Sequence, residues 1–402
     1  MTDQSPSVQN PDDILILGPV RTAIGDFGGA LKSFAAADLG AKVMAEAVRR
    51  AGLEPYDLGH VVMGQVIPSS GKDAYLARAA ALKAGVPVEV PALTVNRLCG
   101  SGLQAIISAA QMMQLGEADI TLAGGAESMS NTPYHDHGQR WGRKMGDATL
   151  VDALVETLSD PLDGCHMGIT AENVAACHGI SRADQDALTV EGHARALRAI
   201  AEGRFADQIL PIELVSRKGT TLFDTDEHPR AGTTAEGLAA MKPVFRKDGT
   251  VTAANASGIN DGAAAMVLAR RSVAEARGLA PMARIVSWGH AGVEPAYMGI
   301  GPVKAVPIAL ARAGLTLADI AVIEANEAFA AQALAVSRAL GFDPELVNPN
   351  GSGIALGHPV GATGAILVVK AAHELRRTGG RRALVTMCIG GGQGIAMVIE
   401  AA

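Results

Sequence analysis

Aromatic residues are scarce in this chain: Phe, Trp and Tyr together make up 3% of 402 residues. A core with so few rings has to close on small aliphatic side chains. The 47 Gly let backbones approach and turn tightly, which suits layered α/β packing. Cysteine is also sparse. Cys99, Cys165, Cys177 and Cys388 form no regular framework. That excludes a disulfide-stapled scaffold and points to a reduced, cytoplasmic setting. There is no basic excess, since 34 Lys and Arg face 41 Asp and Glu, for a net charge of −7. Bulk charge therefore argues against nucleic acid or an anionic membrane as partner, and a polyanionic ligand would need a local basic patch. No stretch approaches the roughly 18 uninterrupted apolar residues of a membrane span. Met1 to Asp13 has neither the basic start nor the apolar run of a signal peptide.

What the chain does have is enough apolar sequence, 48%, for a large core over two or three domains. It also contains a duplication. Residues 47–66 lie over 309–328, with Ala47/Ala309, Arg50/Arg312, Ala51/Ala313, Gly52/Gly314, Leu53/Leu315 and Asp57/Asp319 identical. Each copy reads as a helix stopped by Gly, a turn and an apolar strand. In the same order, 116–128 resembles 379–393, a helix end, a buried strand and a Gly-rich turn. Two related α/β halves follow. Apolar runs at 14–18, 60–66, 92–96, 120–125, 321–326, 383–390 and 395–400 alternate with helical patterns and predict mixed or parallel sheets covered by helices. Between the halves, 129–257 is richer in charge, loops and His. It shows one clear helix, capped by Ser181 with Asp184 three residues on and stopped at Gly203.

Chemistry-bearing residues fall at turns. Cys99 follows a β-rich run (93–96) and a short turn, at or just before the start of a helix that carries Leu103, Ile106, Ile107 and Ala110 on one face. Free N–H groups and the dipole there favour an anion, which predicts a lowered thiol pKa; a buried structural Cys is the alternative. Cys388 ends an apolar strand and opens the turn CIGGGQG, whose backbone N–H groups could receive an oxyanion. The phosphate-loop reading fails because no Gly-Lys-Ser/Thr follows. His358 is pinned between Gly357 and Pro359 before a helical run from Thr363, as a base or as a cap. Asn326 and Glu327 stand where a strand hands over to a helix, and could cap it or position a water. Cys165-His166 and Cys177-His178 raise a metal alternative, but no Cys-x-x-Cys accompanies them. His135-Asp136-His137 reads as a solvated loop, and no metal is expected. Two Cys and a His at comparable turns of two related halves suggest acyl transfer through a thioester.

The motifs NRLCGSG (96–102), HMGITAEN (166–173), ANASGINDGAAA (254–265), NEAF (326–329), GHPVGATG (357–364) and CIGGGQG (388–394) make the chain resemble the thiolases from about residue 13 to 400. The resemblance implies an α/β fold of duplicated βαβαβαββ halves in a five-layered αβαβα arrangement with an inserted loop domain. The N-terminal half would span 1–128, completed by 258–278. A CoA-binding loop domain would fill 129–257, and 279–402 would be the C-terminal half. Cys99 would carry the acyl group, His358 would take its proton, and Cys388 would abstract an α-proton from a second acetyl-CoA. His358 and a water on Asn326 would hold the enolate oxygen. The N–H groups of Cys99 and Gly390 would form the other oxyanion hole. Around CoA the resemblance places His166 and Ser257 at the pantetheine arm, Arg230 of DEHPRAG near the nucleotide, and Met298 at the acyl pocket.

The implied substrates are acetyl-CoA, acetoacetyl-CoA or other 3-ketoacyl-CoA thioesters, and CoA, with no further cofactor. The implied assembly is a homotetramer. His166 before Met167 favours the acetoacetyl-CoA type, whereas SSGKDAYLARAAAL (69–82) looks like the broad-specificity ketoacyl-CoA type. A ketoacyl-carrier-protein synthase would pair its Cys with two His instead. A catalytically dead CoA- or lipid-binding protein on the same fold would have lost a Cys or His358.

Overall fold

In a computed structural model, which describes residues 10–402, the apolar runs form strands β1 (Ile14–Thr22), β2 (His60–Gly64), β3 (Ala92–Val95), β4 (Ile120–Ser128), β5 (Asn260–Arg270), β6 (Ala283–Gly292), β7 (Val322–Ala325), β8 (Arg382–Ile389) and β9 (Gln393–Ala401). The principal helices are α1 (Ala36–Arg50), α2 (Leu76–Lys83), α3 (Ser101–Gln114), α4 (Met167–His178), α5 (Arg182–Ala201), α6 (Gly301–Ala313), α7 (Ala330–Leu340) and α8 (Val360–Thr378).

The sheet order is β7-β8-β9-β6-β1-β5-β4-β2-β3. In one half β4, β2 and β3 run parallel, while β5 is antiparallel to both β4 and β1. The other half repeats this. β7 and β8 run parallel, while β9 is antiparallel to both β8 and β6. The counterpart of β3 shrinks to one parallel bridge, Ile323 to Val347. The halves meet edge to edge where β1 pairs β6 at Leu15–Arg284 and Ile16–Ala283. The duplication read from 47–66 and 309–328 is thus a repeat of strand order and direction.

Helices α3 and α8 pack against each other between the two halves of the sheet, α1 and α2 cover one outer face, and α6 and α7 cover the other, completing αβαβα. The central layer is tight because glycines stand where α3 crosses α8. A Cβ on Gly102 would meet the Ala365 nitrogen and the Gly361 carbonyl, and one on Gly364 would land on the Leu103 nitrogen. Gly364→Ala should therefore destabilise the fold by at least about 3 kcal/mol, read as a fall in the denaturant midpoint.

The inserted region holds more helix than its sequence pattern predicts. Ser181 does cap α5, with its side chain accepting from the Asp184 N–H while Asp184 accepts in return. But α4 precedes it, and short helices Ala153–Thr157 and Ala235–Ala239 flank it. α4 buries small residues on several sides, so it carries no clear apolar stripe. The region is anchored to β1 by a buried pair, in which Arg21 donates to both oxygens of Asp226 at 2.7 and 2.9 Å.

Candidate active site

The Cys99 turn is fixed by its neighbours. Leu98 adopts φ +46°, a conformation that costs a non-Gly residue roughly 1–3 kcal/mol. Three bonds hold it there. Leu98 N–H donates to Asn96 Oδ1 (2.9 Å), Ser101 Oγ donates to the Leu98 carbonyl (2.6 Å), and Arg97 N–H donates to Ser101 Oγ (2.8 Å). The turn delivers Cys99 two residues before α3. Backbone N–H groups of Gly390 and of Cys99 itself bear on its sulfur. Even so, the expected lowering of the thiol pKa is overturned. Burial pushes Cys99 up and outweighs those donors, and the Glu127 carboxylate adds to the rise.

His358 sits between Gly357 and Pro359, and α8 begins at Val360, three residues earlier than the helical run from Thr363 suggests. Its N–H donates to Asn260 Oδ1 at 2.9 Å. Its Nδ1 is 2.6 Å from Thr363 Oγ1, whose own hydrogen goes to the Pro359 carbonyl at 2.9 Å. Thr363 can only accept from the ring, so Nδ1 carries the proton and Nε2 offers a lone pair. Asn326 Nδ2 lies 3.3 Å from that Nε2. Burial lowers His358 to about 4, which keeps the ring neutral at pH 7. Asn326 and Glu327 do not cap α7, which starts at Ala330 behind Phe329.

Cys388 is fully buried at the end of β8, packed with Met167, Ala171, Met298, Ala328 and Phe329. Burial pushes its thiol far up, and the neighbouring Cys99 adds to this. The turn to β9 needs glycine: Gly391 and Gly392 have φ +76° and +83°, and a Cβ on Gly392 would strike the Val293 carbonyl.

A cavity of about 610 Å³ brings Cys99, His358 and Gly390 together with His166, Arg230, Ser257 and Met298. Asn326 and Cys388 are outside its lining, one bonded to His358 and the other packed against Met298. The His166 ring stacks on Phe245 at 4.8 Å, and its Nδ1 accepts from the Gly168 N–H at 3.1 Å, capping α4. Burial lowers its pKa. The neutral ring then carries its proton on Nε2. Ser257 N–H donates to the Ala328 carbonyl at 2.9 Å. Met298 is buried, while the Arg230 side chain is 68% exposed, 4.0 Å from Asp26. Among the Arg and Lys residues of 217–247, only Arg230 lines this cavity, next to His228.

Three site residues escaped the sequence reading: Thr363, Asn260 and Glu127. Glu127 is fully buried at the end of β4 and accepts from the N–H groups of Val66, Ile67 and Gly361 at 2.9, 3.3 and 2.9 Å. It ties the loop after β2 to the start of α8, and burial raises it to about 8. Residues 116–128 contain it, but sequence similarity marks them only as a repeated strand. Cys165 is a poor thiolate, held at about 11 by burial and by Asp163 and Asp160.

Comparison with known proteins adds an independent line. The family model described as thiolase, N-terminal domain, matches residues 14–272, and that described as thiolase, C-terminal domain, matches 279–401. A beta-ketothiolase, BktB, of Cupriavidus necator is 59% identical over 96% of this chain and 99% of its own length. An acetyl-CoA acetyltransferase of Escherichia coli is 51% identical over 96% of this chain and 98% of its own length. The structure superimposes on the human mitochondrial 3-ketoacyl-CoA thiolase with a TM-score of 0.96 at 44% identity, covering 98% of this chain and 100% of that one. It superimposes on the Bacillus anthracis acetyl-CoA acetyltransferase with a TM-score of 0.95 at 46% identity, covering 97% and 99%. The repeated halves, the two thiols with a histidine at their junction, and the match along nearly the whole length have one explanation: the chain belongs to the thiolase family.

Proposed function

We propose that the chain is an acyl-CoA C-acyltransferase that condenses two acetyl-CoA into acetoacetyl-CoA and CoA, and runs the reverse thiolysis. The observation that carries this is the junction itself. The Cys99 sulfur faces the N–H groups of Cys99 and Gly390, and His358, lining the same cavity, keeps its Nε2 unprotonated, with the Asn326 amide 3.3 Å away.

In this reading His358 takes the Cys99 proton as the sulfur attacks the thioester carbonyl. The oxyanion rests on the two N–H groups, each donor contributing about 3–4 kcal/mol. The carbon–sulfur bond to CoA breaks, and Cys388 protonates the departing CoA sulfur. Cys388 is then a thiolate and His358 an imidazolium. A second acetyl-CoA binds, and Cys388 takes its α-proton. The enolate oxygen is held by His358 and a water on Asn326. The carbanion attacks the Cys99 thioester, acetoacetyl-CoA leaves, and Cys99 recovers its proton from His358. Every proton is accounted for, so CoA thioesters are the only reactants this scheme requires.

The inserted region 129–257 is the CoA-binding part in this reading. It contributes His166, Arg230 and Ser257 to the cavity, between the halves 1–128 with 258–278 and 279–402. The same reading makes the protein a cytoplasmic homotetramer. Exposed Trp141, Met145 and Leu150 supply apolar surface for another copy.

A second reading, thiolysis of longer 3-ketoacyl-CoA, has its own support. A cavity of about 290 Å³ also reaches Cys99, walled by Val66, Leu98, Leu158, Pro161 and Val360. Thiolysis rates over C4 to C16 3-ketoacyl-CoA separate the two. The short-chain reading expects C4 to exceed C12 by at least about tenfold, since a misplaced methylene costs roughly 1–3 kcal/mol. Comparable rates at C4 and C12 would overturn it. CoA binding without turnover of any chain length would leave only an inactive binding protein.

A further inference from the structure

The loop carrying His135 and His137 is solvent-exposed, as its sequence suggests, but the fold brings a third residue to it. Strand Tyr134–His135 pairs with Val151–Asp152, placing Tyr134 opposite Asp152 and His135 opposite Val151. The Asp152 side chain then caps helix Ala153–Thr157, which carries Glu156. On the other side, Asp136 Oδ1 accepts from the N–H groups of Gly138 and Gln139 at 2.9 and 3.0 Å and bends the chain directly after His137. Two segments separated in sequence, 134–139 and 151–157, thus converge on one point.

The geometry there is that of an incomplete coordination shell. His135 Nδ1 lies 3.6 Å from one Glu156 oxygen, and His137 Nε2 lies 3.4 Å from the other. One ligating atom from each of the three residues lies within 4.8 Å of the others. Donors about 2.0–2.2 Å from a tetrahedral zinc ion stand about 3.4 Å apart. The two His–Glu separations, 3.6 and 3.4 Å and each to a different carboxylate oxygen, are close to that value. Among the described residues no other group of His, Cys and carboxylate side chains meets this condition. The side chains are 48%, 61% and 49% exposed, so water can complete the shell.

We propose that His135, His137 and Glu156 form a surface site for a borderline divalent transition metal, with Zn²⁺ the natural occupant. Two imidazoles and one carboxylate suit Zn²⁺, Co²⁺ or Ni²⁺ and not Mg²⁺ or Ca²⁺, which take oxygen ligands. The site is separate from the thiol chemistry and takes no part in it. It bears on the cavity wall, because Glu156 itself borders the smaller cavity at Cys99 and Leu158 borders both cavities. A bound ion would clip helix Ala153–Thr157 to the 134–137 strand and loop, holding that wall in place.

The test is a Zn²⁺ titration of chelator-treated, full-length protein, with Co²⁺ absorbance as a second probe. Wild type is compared with Glu156→Gln, His135→Ala and the His135→Ala/His137→Ala double variant. All three positions are exposed, so the variants should fold, and an unchanged circular dichroism spectrum and metal-free melting temperature check that they do. The expected result is one Zn²⁺ per chain lost in the double variant, with at least about tenfold weaker binding in each single variant. Zn²⁺ should also raise the melting temperature of wild type alone. Equal binding by wild type and double variant would place the ion elsewhere, at other His or at the thiols, and overturn the proposal. So would unchanged affinity in Glu156→Gln, or no binding by wild type at submillimolar Zn²⁺.

Discussion

Cys99→Ser should give no acyl-enzyme by mass spectrometry after incubation with acetyl-CoA, and turnover should fall by at least about 10⁴-fold, near 5.5 kcal/mol at 1.36 kcal/mol per decade. The substitution changes little else. Serine is close in size, the Asn96 and Ser101 bonds that hold the Leu98 turn remain, and the Cys99 and Gly390 N–H groups keep their places. What goes is a thiol, a much stronger acid than the hydroxyl that replaces it. His358, depressed to about 4 by burial, is a weak base and takes a serine proton far less readily than a thiol proton. CoA binding should persist, since the substitution leaves the rest of the cavity lining, Arg230, Ser257 and His166 included, in place. Acylation at the wild-type level would sink the assignment.

The raised Cys99 pKa changes how that nucleophile must work. A thiol at a helix start suggests a standing thiolate, but the structure surrounds it with apolar side chains and the Glu127 carboxyl. With the thiol pushed up and the imidazole pushed down, the resting pair is neutral. Charge separates only as the carbonyl oxygen arrives at the two N–H donors. Stabilisation is then confined to the transition state, where it accelerates the reaction. It also keeps the thiol from titrating to a reactive anion between turnovers.

Much of this site was legible from sequence for a physical reason. Turns demand particular residues, so Gly357-His358-Pro359 and CIGGGQG announce themselves, and a repeat of helix, turn and strand survives in the register of Ala, Gly and Leu. What escaped depends on contacts across the fold. Thr363 fixes the His358 tautomer because one helical turn brings its hydroxyl under the ring and the Pro359 carbonyl takes its hydrogen. Glu127 matters because β4 ends against the start of α8, a meeting between two halves more than two hundred residues apart. Asn326 was read correctly as a strand-end residue, but its place beside His358 Nε2 is set by the parallel pairing of β7 and β8. The sign of the Cys99 shift was misread because a local argument saw the helix dipole and could not see the burial.

Cys388→Ser should separate the half-reactions. The variant should still acylate at Cys99, with water supplying the proton to the departing CoA. Condensation should fall by about 10³-fold or more, within the range for losing a positioned base. Exchange of acetyl-CoA methyl protons with deuterated water should stop as well. The reasoning rests on where Cys388 stands. It is fully buried against Met298 and Phe329, outside the cavity lining but adjoining it, and both burial and the neighbouring Cys99 raise its pKa. Acylation turns Cys99 into a neutral thioester and removes the second of these. Cys388 therefore becomes easier to ionise when a thiolate is needed for the α-proton. Order is built into the pair, since the first thiol must be covered before the second can act as base. A serine at 388 cannot ionise in that apolar setting whatever happens at Cys99. Condensation within tenfold of wild type, or methyl-proton exchange continuing at the wild-type rate, would remove Cys388 as the base and leave its burial unexplained by function.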